Sequence, residues 1–188
     1  MKRALVIASL ATLAASPAFA ASFTATAQPL TVLGDVPVRC RMSPPQASDG
    51  GANTTFSQNG ASGEIDFTNF VDANTGKLNA SGAHIAFPIT CTGAQTLTVT
   101  TQNGGLTNTN VAGASNGFAA RADYTLEASW ASTTRSLQTG GSTASLDLSQ
   151  TTPQSGQLVL NFTLIQGDQP LEAGSYDDAI VVQLNTAQ

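Results

Sequence analysis

The residues able to do chemistry are few and scattered. The chain of 188 residues holds one histidine, His84, two cysteines and twelve carboxylates. A Ser-His-Asp triad would have to use His84 as its base, yet His84 opens an apolar, alternating segment with no G-x-S-x-G elbow beside it. Carboxylates for a glycosidase pair exist, but Asp177 and Asp178 are adjacent and would point to opposite faces of a strand. The other acids are scattered over turns. Asp72-Ala-Asn74-Thr-Gly76-Lys77 spaces oxygen side chains as a calcium loop does, but it lacks the terminal bidentate carboxylate. Asn-x-Gly between strands is ordinary turn chemistry, so this run reads as a hairpin turn. Asn53, Asn79 and Asn161 each begin an N-x-S/T sequon, which chance supplies in a chain so rich in Asn, Ser and Thr. No set of residue types meets the geometric roles of a catalytic site. The reading is of a protein that is not an enzyme and holds neither cofactor nor metal.

The two cysteines point to chemistry of another kind. Residues 1–20 have the layout of a signal peptide: Lys2-Arg3, an apolar run Ala4–Ala15, then Ser16-Pro17 and an A-x-A site at Ala18-Phe19-Ala20. A dozen apolar residues fall short of the roughly 20 that span a bilayer. Cleavage would leave 168 residues starting at Ala21, with five basic residues against twelve acidic ones, a net charge of −7. Such a chain has no electrostatic footprint for nucleic acid and no basic helix for a membrane surface. In an exported protein, Cys40 and Cys91 read most simply as one disulfide. With a single His and no second cysteine near either one, a metal site lacks support.

The elements that would position these residues are strands. In His84–Gly105, Ile85, Phe87, Ile89 and Cys91 alternate on one face, and Leu97-Thr-Val99-Thr-Thr101 follows after Thr92-Gly93. The pair reads as the organising hairpin, with Cys91 ending a core strand. Upstream, Phe23, Ala25 and Ala27 alternate until Pro29, after which the register moves to Leu30, Val32, Val36, Val38, Cys40 and Met42. Pro29 and Pro37 lack amide donors, and Gly34-Asp35 makes a joint. Two readings stay open here. One is a single bent first strand; the other is an N-terminal arm, 21–33 (21–35 with its joint), followed by a first strand over 36–42. Residues 43–62 read as a surface loop, and Glu64–Val71 as a strand. Ala122, Tyr124, Leu126, Ala128 and Trp130 alternate, and so do Leu158, Leu160, Phe162 and Leu164. Thr133–Ser145 reads as a connector, with a short strand near Ser145–Leu148. Gly174-Ser175-Tyr176 opens the last strand, on which Ile180, Val182 and Leu184 face inward.

No stretch has a helical period. Seven or eight short strands between turn signals predict an all-β, immunoglobulin-like antiparallel β-sandwich, one domain over 36–188. Charged residues are 10% of the chain against a usual figure of about 25%, so hydroxyls and amides must cover the solvent faces.

The signal peptide, the alternating apolar arm, a Cys near the end of the first strand, Ile89-Thr-Cys91-Thr-Gly93 and the terminal Ala173-Gly-Ser-Tyr-Asp-Asp-Ala-Ile-Val-Val-Gln-Leu184 together resemble one family. They look like subunits of chaperone–usher pili, especially the archaic branch that shares the spore coat protein U domain. The chain departs from it in Met42-Ser-Pro-Pro, where such domains tend to carry an aromatic-glycine segment, and in the length of 43–62. What the resemblance implies is a sandwich missing its last strand. A groove beside Tyr176, Ile180, Val182 and Leu184 would accept an extended donor segment, with Phe23, Ala25, Ala27, Leu30 and Val32 supplied by a neighbour's arm. It implies a secreted subunit of a fimbria, pilus or coat that passes through the periplasm to the cell surface. Other subunits, a periplasmic chaperone and an outer-membrane usher would be its partners by analogy. The competing class is a complete monomeric sandwich, an adhesin or glycan-binding module whose arm folds back as its own edge strand.

Overall fold

Period-two alternation builds the body of this molecule, and the inward half of each alternation forms its core. The structure is a computed structural model that describes residues 31, 33–47, 52–111, 113–114 and 116–186. The chain divides into two units, Met1–Gly34 and Asp35–Gln188. In the first, the described residues Thr31, Leu33 and Gly34 carry no regular structure. Residues 1–20, expected to be a signal peptide, and the expected arm positions Phe23, Ala25, Ala27, Leu30 and Val32 lie outside the described residues.

The second unit is all-β, with no helix among its described residues. In order come β1 (Cys40–Met42), β2 (Gln46–Ala47), β3 (Thr54–Asn59), β4 (Ser62–Phe67), β5 (Gly82–Cys91), β6 (Gln95–Thr101) and β7 (Leu106–Asn108). Then follow β8 (Arg121–Ala122), β9 (Tyr124–Trp130), β10 (Thr133–Gln138), β11 (Ala144–Gln150), β12 (Gln154–Leu164), β13 (Tyr176–Asp177) and β14 (Ile180–Thr186). One antiparallel sheet runs β1-β5-β12-β9-β10, with β2 sharing the β1 side of β5. The second runs β11-β6-β14. Small β13-β7-β8 and β3-β4 sheets complete the set.

The two main sheets bury one core between them. Leu97, Val99, Leu126, Ala128, Leu148 and Leu158 have no exposed surface. They come from four strands, β9 and β12 of the first sheet and β6 and β11 of the second, so each sheet contributes, as in a sandwich. Outside, hydroxyls pair across strands: Thr90 with Ser155, Ser129 with Thr134, Thr96 with Ser149, and Thr98 donating to Asp147 at 2.7 Å. These ladders are how so weakly charged a chain stays hydrophilic on its faces.

Cys40 and Cys91 form the expected disulfide, facing each other in the β1–β5 register with Cα atoms 4.1 Å apart. Four expectations are corrected. The segments on either side of Thr92-Gly93 are not a hairpin but a crossing from one sheet to the other. Both flanks of β5 are already taken, by β12 and by β1 with β2, and both flanks of β6 by β11 and β14. Thr92 also stays tied to the incoming segment, its N–H donating to Arg39 O and its hydroxyl accepting from Arg39 N. The first strand is only Cys40–Met42, because Pro37 cannot extend the ladder and Val36 and Val38 are exposed. The 43–62 loop contains β2 and β3, and the Thr133–Ser145 connector contains β10. These strands have too few apolar residues to show alternation; β10 is an edge strand that pairs with β9 through a tight turn at Ala131-Ser132. The Asp72 run is the expected turn, bridged by Val71 and Leu78, and Asp72 accepts from Asn74 N, Thr75 N and Thr75 Oγ1. These bonds hold its carboxyl below the usual range.

Candidate functional site

The last strand carries an apolar row that its own sheet does not cover. On β14, Ile180, Val182 and Leu184 turn inward while Val181, Gln183 and Asn185 turn out. Val182 lies opposite Val99 and Leu184 opposite Leu97 in the β6 register. Those β6 partners are fully buried, whereas the three β14 residues are half-buried. The difference follows from position: among the described residues β6 is flanked on both sides, and β14 is an edge strand with one ladder partner. On the far side of the sandwich β10 closes against β11, and here β14 approaches the short β1.

The gap is a groove of about 760 Å³. Ile85 and Phe87 of β5 and Leu160 and Phe162 of β12 line it from one sheet, Ile180 and Val182 from the other. Phe56, Ile65 and Phe67 of the β3–β4 hairpin form its outer wall, and Leu106, Tyr124 and Tyr176 its end. Glu64, Asp66, Asp177 and Asp178 are among its lining residues, and among the described residues no Lys or Arg is. Such a trough offers apolar pockets beside an unpaired strand edge, the two things an extended segment needs in order to add to a sheet. It offers no cluster of metal-ligating side chains among the described residues.

Tyr176 does not belong to the final strand as expected. It sits on β13, paired with β7, and Asp178-Ala179 breaks the chain before β14 begins. Its hydroxyl donates to Ala119 O and Glu172 O, and its ring meets Phe70 at 5.5 Å, which fixes it at the groove end. Burial is the main cause that raises its phenol above the ordinary range.

The cause of the break is Asp178. Its carboxylate accepts from Asn103 N at 2.8 Å, Gly105 N at 2.9 Å, Ala179 N at 2.8 Å and the Tyr124 hydroxyl at 2.8 Å. One side chain thus ties the entry of β14 to the β6–β7 turn and, across the core, to β9. No local pattern announces this role, since three of the four partners lie 54 to 75 residues away. Tyr124 is buried, and burial first, then the Asp178 carboxylate, push its phenol well above the ordinary range. Asp178→Asn should lower stability by about 2–3 kcal/mol, because an amide cannot accept all four bonds; a urea melt unchanged from wild type would contradict the clasp. A raised phenol contributes stability in full below the unfolded value of about 10, and the contribution fades as pH climbs beyond it. Tyr124→Phe should accordingly lower stability near neutral pH and flatten the loss above about pH 10.

His84 serves the opposite face. Asn161 Nδ2 donates to Glu127 Oε1 at 3.3 Å, which turns Asn161 Oδ1 toward the imidazole, and His84 Nδ1 donates to it at 2.6 Å. The three residues are register partners across β5, β12 and β9, on the outer side of the sheet and away from the groove. Phe56 was missed as a groove residue; its signal was a lone aromatic in a polar stretch.

Comparison of the chain with family models, with curated proteins and with solved structures finds no match.

Proposed function

We propose that the chain is a secreted structural subunit of a surface pilus, fimbria or coat, and that it polymerises by donor-strand complementation. The segment 21–33 of one copy enters the groove beside β14 of the next and adds to the open edge. The observation that carries this reading is the half-covered row Ile180, Val182 and Leu184 on an edge strand, beside a groove long enough for several side chains. A covered monomer has no use for such an edge, which invites uncontrolled pairing. The arm also suits the groove in charge. Residues 21–33 contain no ionisable side chain, so they can approach Asp177 and Asp178 in the groove lining without like-charge repulsion. Export through the periplasm, an assembly chaperone and an outer-membrane usher complete the proposal on the strength of the resemblance.

Expressed without partners, the mature chain should self-associate or aggregate, because an apolar groove and a free edge are both exposed. Native-size measurements by light scattering check this. A soluble monomer with a cooperative melt and slow amide exchange along 180–186 would instead support a complete sandwich.

A further inference from the structure

The outer wall of the groove is built unlike the rest of the molecule. Among the described residues, the β3–β4 hairpin forms a two-stranded sheet of its own and pairs with no other strand. Its register puts Phe56 opposite Ile65 and Thr54 opposite Phe67. These apolar side chains are half-buried against the core, while Thr55, Ser57, Glu64 and Asp66 on the other face are exposed. Among the described residues, its hydrogen bonds to the sandwich are confined to the base. Ala52 bridges Gly82, Thr54 Oγ1 donates to Gly82 O at 3.3 Å, and Asn53 Nδ2 donates to Ala80 O at 3.4 Å. All three are weak or long, and Asn53 holds a φ of 56°, a left-handed conformation suited to a pivot. Toward the tip the contacts are side-chain packing, with Gly63 so close to the Phe56 ring and Pro45 that an added Cβ would lie 3.0 Å from Pro45 Cγ. A wall attached at one end and held elsewhere by half-buried aromatics can swing without breaking a sheet.

We propose that the β3–β4 hairpin is a flap over the strand-accepting groove. In the unassembled chain it covers apolar surface with Phe56, Ile65 and Phe67. An incoming extended segment displaces it, pivoting at Asn53 and at Thr68-Asn69. The inference rests on the strand-acceptance reading above and adds a gate to it. It also gives the hairpin a reason to be amphipathic: in the closed position its acids face water, and in the open position the groove it leaves is filled by the new strand.

The test uses the mature chain, 21–188, and a dye-labelled synthetic peptide of residues 21–33 in excess. One variant shortens the flap by joining Thr54 to Phe67, which are register partners, through an Asn-Gly turn. It should bind a hydrophobic dye more strongly and capture the peptide about tenfold faster or more, the factor expected if the wild-type flap is open in about one molecule in ten. If the shortened chain does not fold, hydrogen exchange on the wild type decides. Peptide binding should speed exchange at amides 54–67 while slowing it at 180–186. Capture at the wild-type rate by a folded shortened variant, or unchanged exchange over 54–67 in the bound state, overturns the flap and leaves strand acceptance standing. Failure of any chain to bind the peptide overturns both.

Discussion

Deleting residues 21–33 should abolish polymer formation while leaving the sandwich able to take up the missing segment as a peptide. This outcome follows from the division of labour along the chain. The disulfide, the two sheets and the groove all lie within Asp35–Gln188, whereas the apolar alternation of Phe23, Ala25, Ala27, Leu30 and Val32 lies upstream. On the proposed reading, a truncated subunit keeps its acceptor edge and loses its donor. Two registers are open to the arm, since Pro29 separates the first three apolar residues from the last two. Ala25 or Ala27 at the centre would leave a shallow pocket through which a competing strand could begin exchange. Leu30→Asp or Val32→Asp would bury an unpaired charge at a cost of several kcal/mol and should block assembly as the deletion does. Electron microscopy and sedimentation of the truncated chain, with and without the peptide, provide the readout. If the truncated chain still assembles like the full one, the arm is merely a first strand and the donor account is wrong.

Removing the Cys40–Cys91 bond has the largest expected effect on stability. The bridge closes a sequence separation of 51 residues. In the chain-entropy model such a loop is worth about 4 kcal/mol, a large share of the roughly 5–15 kcal/mol that holds a domain together. Its place in the fold adds to that. β1 is three residues long, its neighbours Val36 and Val38 are exposed, and it stands where β14 approaches the first sheet. Without the bond, little holds β1 against β5. The Cys40→Ala, Cys91→Ala double variant should therefore melt about 10 °C lower and give less folded protein. A melting temperature within about 2 °C of wild type would show the cross-link to be dispensable.

Where a strand is buried on one face, the sequence declares it. Ile85 to Cys91, Tyr124 to Trp130 and Leu158 to Leu164 alternate because each second side chain enters the core. The inward row on β14 was legible for the same reason. Strands that bury little stayed hidden: β10 has Leu137 as its one apolar residue, and β3 has Phe56. The crossing at Thr92-Gly93 resembled a hairpin because pairing partners lie far off in sequence, β6 meeting β11 and β14 rather than its neighbour. Asp178 was beyond reach for a similar reason. A carboxylate that collects amides from a distant turn and a phenol from the other sheet leaves no trace in the residues around it. The groove itself was expected from family resemblance, but its hairpin wall was not, since alternation predicts faces and cannot say which surface one covers.

The central claim is that the arm of one molecule completes the sheet of another, and mixed-isotope cross-linking tests it most directly. Subunits labelled with heavy nitrogen and unlabelled subunits would be denatured, co-assembled in equal amounts and linked by a short photoreactive group placed at Thr31. Peptides joining the arm to Ile180–Thr186 should carry one heavy and one light half in about equal proportion to like pairs, as random exchange between copies requires. Links found only between halves of the same isotope would mean that each arm pairs within its own molecule, and the polymerising subunit would give way to a complete monomeric sandwich.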